Sequence, residues 1–527
     1  MSVAKTDLAS HHELRALTPL SLTEAGGKQV RLQWGDFHNH CAVGLFHHAK
    51  GSLKRAIDNA RSHLDFFAFT GHSQWHDMPQ MVNDADKKWQ EGFDFHTTHW
   101  PVTKRLIAEA NQPGEFVAFL GYEWHSAEYG DRCIIFKDDS GELRIMKTLA
   151  EVEALAREFG AILYPHHIGY KGGLPGRGLN WDEFHPELSP IIEIQSEHGC
   201  SAGARALYLY IPHSIAPRLS ANTYQRALAA GLHCGVAGGS DDHLGFPGAY
   251  REGVVGVYSE GLTRVDILSG VWRRRTLAST GDRIAQHLRI NDGFIGDILP
   301  PAQKRHITGA VSGWDEIEKV ELIKNNQVLR RFHPATGPRT IDSTRRRYLL
   351  RFEYGWGPWT AFGMPRTADW QVALELKGAK LVAYQPCLQT APFDEGRRHS
   401  VVTDGESHVD LKSYTGRSGA FLEVPTNALV LEVEAAATDS ISLSFAQPSQ
   451  RSFNYTFAEL FEGGRIEFMG DFPSESFLLH RLVSEPDYRI DFSLDDMASG
   501  GREDFYYLRV SQTNNQHGWS SPIWVQA

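Results

Sequence analysis

Residues 66–72 read Phe66-Phe67-Ala68-Phe69-Thr70-Gly71-His72, a short apolar run that is followed at once by a histidine. Runs of four to six apolar residues without alternation are typical of parallel strands buried on both faces. Similar runs occupy residues 116–120, 161–164, 191–194 and 235–237, and helix-like stretches separate them. These repeated strand–helix units predict an α/β fold, either a (β/α) barrel or a doubly wound sheet.

The helix-like stretches and the second half of the chain have different periodicities. Ser52 is predicted to cap a helix with one apolar stripe, and residues 149–159 and 224–230 show the same helical pattern. After about residue 290 the pattern changes to short alternating segments between turn residues. Strands are predicted there at residues 319–324, 327–332, 429–433, 441–445 and 505–510, the first two forming a hairpin around Asn325-Asn326. We therefore predict an N-terminal extension (1–30), a barrel (31–290) and a β-sandwich-like region (291–527) of one or two subdomains.

The bulk composition restricts the classes of partner. The formal charge of −11 argues against a nucleic-acid partner, because phosphate backbones attract clustered Lys and Arg. Five scattered cysteines indicate neither a disulfide framework nor a zinc knuckle and fit a reducing compartment. No signal peptide and no run of 18 apolar residues is apparent, so the sequence predicts a cytoplasmic protein without a membrane partner. Association into a homo-oligomer is left open.

Histidine is concentrated where the strand–helix units are predicted. Of the 26 histidines, 17 lie between residues 31 and 250, and imidazole is the commonest transition-metal ligand. Each apolar run is followed directly by residue types that bind metals. These residues are Asp36, His38, His40, His72, Glu123, His166, His167, Asp241, Asp242 and His243. Because the carboxyl ends of barrel strands open on one face, these side chains are predicted to converge on a metal site.

The spacing and the chemistry of these residues indicate which ions they bind. Side chains in an extended segment alternate with a period of two, so His38 and His40 project on the same side, as do Asp241 and His243. A mixed imidazole and carboxylate set favours Zn²⁺, Mn²⁺ or Fe²⁺ over Ca²⁺ or Mg²⁺. Glu123 is the carboxylate best placed to bridge two ions.

The motifs around these residues resemble those of the PHP (polymerase and histidinol phosphatase) superfamily. The matching segments are His38-Asn39-His40, Thr70-Gly71-His72, Gly121-Tyr122-Glu123-Trp124, Tyr164-Pro165-His166-His167 and Gly239-Ser240-Asp241-Asp242-His243. Gly71 stands where the superfamily usually has Asp. The resemblance covers about residues 31–290, and it implies a distorted (β/α)7 barrel, a site for up to three metals and phosphoesterase activity. The phrases GYEW, YPHH, IEIQSEHG and GGSDDH also resemble a subgroup that includes CehA/McbA-type carbamate hydrolases.

The resemblance implies a set of metal ligands, to which the loop after residues 191–194 adds His198. The first metal is assigned His38, His40, Glu123 and Asp241, the second Glu123 with His166 or His167, and the third His72 and His243. Two positions depart from the superfamily pattern. Asp131 stands where the subgroup tends to have a histidine, so that Asp131 or His125 replaces this ligand, or the second site is weakened. For one further ligand after His40 the chain offers His47 or His48, of which His48 is the candidate.

The sequence thus predicts a hydrolase that uses two or three divalent ions (Zn, Mn or Fe) and a metal-bound hydroxide on a small-molecule ester. A phosphoester is the first choice of substrate, and a carboxyl or carbamate ester is the alternative. A non-catalytic binding protein with a vestigial metal site is the second alternative. Asp242 is the candidate proton donor to the leaving group, although orienting a ligand is an equal alternative for it. Arg132 is the candidate for holding an anionic group, and Lys171 and Arg177 are further cations in predicted strand-end loops.

Overall fold

The computed structural model describes residues 22–45, 49–174, 176–206, 217–417, 419, 424 and 426–527. The chain divides into two compact units, which are discontinuous in sequence. The site unit contains the described residues of 22–311, 318–332 and 491–527, and the β-rich unit contains those of 312–317 and 333–490. The site unit therefore extends beyond the predicted boundaries 31–290.

The strands are numbered in chain order. The first group is β1 (Leu22–Ala25), β2 (Lys28–Asp36), β3 (Phe66–Phe69), β4 (His72–Trp75), β5 (Val117–His125), β6 (Arg132–Ile135), β7 (Ile162–Pro165), β8 (Ile191–Ser196), β9 (Gly199–Cys200), β10 (Gly235–Gly238), β11 (Val254–Ser259), β12 (Thr276–Ser279), β13 (Ala285–Ile290), β14 (Gly293–Phe294), β15 (Ile298–Leu299), β16 (Lys304–Ser312), β17 (Ile317–Lys324) and β18 (Gln327–Phe332). The second group is β19 (Arg346–Gly355), β20 (Thr367–Lys377), β21 (Lys380–Cys387), β22 (Ser400–Asp404), β23 (His408–Gly416), β24 (Asn427–Ala435), β25 (Ser440–Gln447), β26 (Arg451–Thr456), β27 (Arg465–Phe468), β28 (Ser476–Leu479) and β29 (Val483–Ser484). The last group is β30 (Arg489–Met497), β31 (Glu503–Gln512), β32 (His517–Ser520) and β33 (Ile523–Gln526).

The helices lie between these strands. They are Ala42–Leu45, Leu53–His63, Ala85–Ala110, Leu149–Phe159, Tyr224–Ala229, Arg264–Trp272, Phe457–Glu462 and Glu485–Tyr488. Ser52 caps the helix Leu53–His63 by accepting a hydrogen bond from the Arg55 amide, as predicted. Thr148 and Glu151 form a capping box at the start of the helix Leu149–Phe159. Among the described helices, including the 26-residue helix Ala85–Ala110, none has both the length and the apolarity needed to cross a membrane.

The main sheet of the site unit is mixed. Strands β2, β3 and β5 are parallel neighbours, and β8 is parallel to β10 in a separate sheet. However, β6 is antiparallel to both β5 and β7, and β11 is antiparallel to β2. The predicted α/β class is confirmed, whereas the distorted (β/α)7 barrel stays a prediction.

The last strands of the chain belong to the same sheet as the first strands. In the order β15-β33-β31-β32-β12-β11-β2-β3-β5-β6-β7, the strands β31 to β33 lie on the far side of β12. The predicted hairpin is also confirmed, because β17 and β18 pair antiparallel around Asn325 and Asn326, which both have positive φ.

The β-rich unit contains two antiparallel sheets. Strands β21-β24-β19-β28-β27 form one, with β29 beside β19, and β22-β23-β20-β25-β26 form the other. A single apolar core includes side chains from both sheets, such as Leu350 of β19, Leu374 of β20 and Leu431 of β24. This shared core is the arrangement of a β-sandwich.

Candidate metal centre

The parallel strands bring two of the predicted motifs to one edge of the sheet. Phe66 of β3 is in register with Gly35 of β2 and with Val117 of β5, so that the three strands end on the same side. In β4, His72 is directly opposite Glu123 of β5. Strand pairing, rather than proximity in sequence, therefore positions these two side chains beside each other.

Backbone hydrogen bonds join the first and last motifs. The Asp241 amide donates to the His38 carbonyl at 2.7 Å, and the His40 amide donates to the Asp242 carbonyl at 2.8 Å. Asp241 has a φ of 56°, in the left-handed region where Asp is better tolerated than bulkier residues. The segment 38–40 and the loop 239–243 consequently face each other across a short distance.

Asp241 lies among four imidazoles and is buried. Its Oδ1 atom is 2.9 Å from His40 Nε2 and 3.2 Å from His38 Nε2. Its Oδ2 atom is 2.9 Å from His198 Nε2 and 3.6 Å from His167 Nε2. Both oxygens of this carboxylate thus contact imidazole nitrogens, which are atoms of the kind that bind metal ions.

Glu123 has a similar position on the other side of the cluster. Its Oε1 atom is 2.7 Å from His166 Nε2 and 3.3 Å from His125 Nδ1. Its Oε2 atom is 2.7 Å from His72 Nδ1 and 3.6 Å from His40 Nε2. The carboxylate therefore lies between two groups of imidazoles, which is the arrangement that a bridging ligand requires.

The remaining histidine contacts complete the cluster. The rings of His40 and His72 stack with centroids 4.0 Å apart and planes 7° apart. His72 Nε2 lies 3.3 Å from His243 Nε2. These residues form several overlapping groups whose ligand atoms lie within 4.8 Å of one another, including His40 with His72 and His243, and His38 with His40 and Glu123.

Burial keeps most of these imidazoles neutral. Removal from water lowers the pKa of His40 and of His72 to about 3, and lowers the pKa of His38 and His167 well below the usual value. His243 is different, because its bond to Glu197 outweighs burial and raises its pKa to about 10. Neutral imidazole is the form that binds metal ions, so these four rings are prepared for ligation. At His243, and at His166, whose pKa the Glu123 carboxylate raises against the effect of burial, an ion would displace a proton.

Three carboxylates outside the ligand set hold it in place. Glu193 Oε2 is 2.9 Å from His38 Nδ1, and Glu197 Oε1 is 3.0 Å from His243 Nδ1. Asp36 accepts hydrogen bonds from the Ser240 hydroxyl at 2.6 Å and from the Ser240 and Gly248 amides, and burial raises its pKa to about 6. Hydrogen bonds of this kind, between a metal-binding residue and a group that does not bind the metal, fix the orientation of the metal-binding rings.

Sequence reasoning did not identify Glu193 or Glu197 as site residues. The signal for Glu193 was a single charged residue in the apolar run 191–194, because a buried carboxyl needs a partner. Glu197 directly precedes His198, which was predicted as a ligand. In both cases the local sequence contained a usable indication.

Asp131, a predicted ligand, is engaged by an arginine. Its Oδ2 atom pairs with Arg177, and its Oδ1 atom accepts a hydrogen bond from the Ser126 amide at 3.0 Å. Arg177 Nη2 also lies 3.0 Å from His125 Nδ1. Asp131 thus accepts a hydrogen bond on each oxygen, and it also forms a group with Glu123, His166 and His167 whose ligand atoms lie within 4.8 Å of one another.

Arg132 and Asp242, the predicted catalytic residues, contact backbone groups. Arg132 Nη1 donates to the carbonyls of Tyr129 and Gly130 at 2.9 and 2.7 Å. Asp242 Oδ1 accepts from the amides of Leu244 and Phe246 at 2.9 and 2.6 Å. These contacts hold two turns in shape, and the catalytic roles of both residues stay predictions.

The other predicted ligands lie in the cluster, apart from one. His48 and its alternative His47 lie outside the described residues. Of the pair His166 and His167, the first contacts Glu123 and the second contacts Asp241, so both belong to the cluster. His198 is 19% exposed at its side chain and is in contact with Asp241.

The donor set fits divalent metal ions. If His38 donates from Nδ1 to Glu193, its Nε2 atom presents a lone pair to Asp241 Oδ1 at 3.2 Å, and His38 Nε2 makes no hydrogen bond within the part of the chain that the structure describes. Two facing lone pairs repel each other, and a cation between them removes the repulsion. Cys133 Sγ lies 3.7 Å from His166 Nδ1, and Cys133 forms a further group with His38 and His166 whose ligand atoms lie within 4.8 Å of one another.

Comparisons with known proteins match parts of this chain. Residues 47–158 match the family described as "Protein of unknown function (DUF3604)". An uncharacterised protein of Chlamydia trachomatis is 28% identical over 253 residues, which cover 44% of this chain and 40% of that protein. An uncharacterised protein of Chlamydia muridarum is 29% identical over 288 residues, which cover 50% of this chain and 44% of that protein. The chain thus matches less than half the length of these relatives.

One solved structure is similar to part of this chain. It is a two-domain protein from Bacteroides vulgatus that contains a predicted PHP-like metal-dependent phosphoesterase. The match has 15% sequence identity and a TM-score of 0.35, and it covers 60% of this chain and 88% of that chain.

Proposed function

We propose that the chain is a metal-dependent hydrolase of ester bonds, with phosphoesters as its first substrate class. The observation that carries this proposal is the convergence of seven histidines on Glu123 and Asp241. The seven are His38, His40, His72, His125, His166, His167 and His198. Removing these imidazoles and two carboxylates from water costs free energy, and an apolar core in their place would stabilise the fold better. Fold stability therefore does not account for the cluster.

The residues of the cluster define the roles in this proposal. His38, His40, Asp241 and Glu123 would hold one ion, Glu123 with His166 would hold a second, and His72 with His243 are the candidates for a third. A divalent ion bound there acidifies water and stabilises the negative charge that develops during ester hydrolysis. Glu193 keeps the ring of His38 oriented, and Glu197 does the same for His243.

A phosphoester is supported by the cation beside the cluster. Arg177 Nη2 lies 3.0 Å from His125 Nδ1, and the guanidinium carbon of Arg177 is 4.3 Å from the centre of the Trp75 ring. A guanidinium at this distance attracts an anionic substrate group. No step of the reaction is assigned to Arg132 on present contacts.

A carboxyl or carbamate ester of the CehA/McbA type is the second candidate, and it has an observation of its own. The rings of Trp75 and Trp89 are 6.0 Å apart, and Trp89 lies 5.9 Å from His72. Aromatic side chains beside a metal cluster suit an aryl leaving group. Trp100 and Trp124 bond instead to the carbonyls of Gly141 and Met146.

Hydrolysis of four substrates separates these candidates. The protein loaded with Zn²⁺ or Mn²⁺ is assayed with p-nitrophenyl phosphate, bis-p-nitrophenyl phosphate, p-nitrophenyl acetate and 1-naphthyl N-methylcarbamate. We expect turnover of a phosphoester that is lost in His38→Ala and Asp241→Ala, together with bound metal. His306→Ala, which removes an exposed histidine of β16, is the matched control and should retain both properties.

Three outcomes would reject the proposal in different ways. Turnover of the acetate or carbamate alone would establish the second candidate. Metal binding without turnover of any substrate would favour a binding protein with a vestigial site. Metal content that is unchanged in both variants would show that the cluster is not a metal site.

A further inference from the structure

We propose that Arg177 occupies the position of a metal ion, so that its guanidinium is a permanent cation on the Asp131 side of the cluster. This inference rests on the proposed metal-dependent function. It concerns the number of ions that the chain binds and the role of the position where Asp131 replaces a histidine.

The first argument is the set of groups around one nitrogen atom. Arg177 Nη2 pairs with Asp131 Oδ2 and lies 3.0 Å from His125 Nδ1. His125 Nδ1 is in turn 3.3 Å from Glu123 Oε1. A carboxylate and an imidazole are ligands of transition-metal ions, yet the nitrogen that contacts both Asp131 and His125 belongs to a guanidinium.

The second argument is that both carboxylate oxygens of Asp131 already accept hydrogen bonds. Arg177 engages Oδ2, and the Ser126 amide engages Oδ1. A divalent ion bound by Asp131 would have to displace Arg177, and it would be repelled by the guanidinium if both remained. Asp131 is therefore an anchor for Arg177 rather than a metal ligand.

The third argument is that the fold delivers Arg177 to this position. The guanidinium lies over the ring of Trp75, which is buried and in register with His125 across the β4–β5 pairing. Beside Arg177, the Gly178 amide donates to the Lys171 carbonyl at 2.8 Å, and Gly178 has no room for a side chain because the Tyr170 carbonyl lies against it. The Trp75 ring on one side and the backbone of the glycine-rich loop on the other thus hold Arg177 in place.

A further contact fixes the same loop to the turn that carries Asp131. The Asn180 amide donates to the Tyr129 carbonyl at 3.3 Å. Gly130 has a φ of 83°, and a side chain there would approach the Leu179 backbone to 2.8 Å. The glycines at 130 and 178 thus permit the close approach that brings Arg177 to Asp131.

The chemical consequence concerns charge. A divalent ion at the Asp131 position would add two positive charges that depend on metal supply, whereas Arg177 adds one that is always present. Arg177 is accordingly a positioning residue for the ions and a fixed charge for the substrate.

The test counts bound ions and does not use activity. Each protein is saturated with Mn²⁺ or Zn²⁺, freed of excess metal by gel filtration, and analysed for metal per chain. We expect Arg177→Gln to bind one more ion than the wild type, because Asp131 and His125 become available. Arg177→Lys keeps the charge and should keep the wild-type count, as should Lys171→Gln, a matched control in the same loop.

Variants of Asp131 provide a second test, which applies even if Arg177→Gln fails to fold. We expect Asp131→Asn to bind as many ions as the wild type, and the double variant Arg177→Gln/Asp131→Asn to lose the additional ion. An ion lost from Asp131→Asn would overturn the inference, because Asp131 would then be a ligand. An unchanged count in folded Arg177→Gln would overturn it as well. A wild-type protein that binds no metal would overturn the proposed function itself.

Discussion

His38 and Glu193 form a buried pair, in which His38 Nδ1 lies 2.9 Å from Glu193 Oε2. The carboxyl fixes the ring so that Nε2 faces Asp241. Loss of such a partner typically reduces metal affinity 10–100-fold. We expect Glu193→Ala to show this reduction in calorimetric titration with Zn²⁺, and Glu193→Gln, which retains an acceptor, to show a smaller one. Glu187→Ala, at an exposed position, is the control, and equal affinities in all proteins would contradict the prediction.

Metal removal is expected to lower thermal stability. A ligand that binds only the folded state stabilises it by about 2.7 kcal/mol at a concentration 100 times its Kd. The wild type should therefore melt at a lower temperature after chelation with EDTA and recover when Zn²⁺ or Mn²⁺ is added back, as followed by calorimetry. In Glu123→Gln, which weakens the carboxylate between two groups of imidazoles, the shift should largely disappear. A shift of full size in Glu123→Gln would show that the ions bind elsewhere.

Substitutions of Asp242 distinguish a structural role for this residue from its predicted role as a proton donor. Its Oδ1 atom accepts two backbone hydrogen bonds, from Leu244 and Phe246. Asp242→Ala should cost about 1–3 kcal/mol, because buried amides lose their acceptor. Asp242→Asn keeps that oxygen and should restore stability and most of the hydrolytic rate. If the rate in Asp242→Asn is as low as in Asp242→Ala while the melting temperatures differ, Asp242 acts as the acid.

The pair of Arg305 and Asp504 predicts a pH-dependent stability. Both side chains are buried, and although burial raises the pKa of Asp504, its hydrogen bonds, that of Arg305 first, lower the pKa below its usual value. A carboxyl with a lowered folded-state pKa contributes stability above its unfolded pKa of about 3.9, and this contribution is lost as the pH falls further. Asp504→Asn should therefore cost about 3–5 kcal/mol at pH 7 and progressively less below pH 4 in urea unfolding. An equal cost at both pH values would exclude a charge effect.

Much of the site could be predicted because each ligand follows an apolar run. The runs 66–69 and 191–194 form β3 and β8, and their continuous hydrophobicity reflects burial on both faces. Asn325 and Asn326 marked the hairpin because both adopt positive φ. In these cases the local sequence contains the physical cause of the local structure.

Other features depend on contacts that no local pattern contains. Strand β6 has only four residues, among them Arg132 and Cys133, and its antiparallel pairing follows from its two neighbours. The helix Ala85–Ala110 contains Pro101 and was not predicted, because an internal proline normally interrupts a helical pattern. Arg177 reaches Asp131 through the docking of a glycine-rich loop, which residue spacing does not indicate.

The pairing of β12 with β32 has a consequence for synthesis of the protein on the ribosome. Leu277 is in register with Ser520, and the Ser521 hydroxyl accepts a hydrogen bond from the Val236 amide of β10 at 2.9 Å. Strand β10 leads directly into the loop of Asp241. A nascent chain that has exposed every histidine of the cluster still lacks β32, one of the two partners of β12, until more than two hundred further residues have left the exit tunnel. Translation must consequently deliver the whole β-rich unit before the sheet behind the histidine cluster is complete, and chaperones have that interval in which to act.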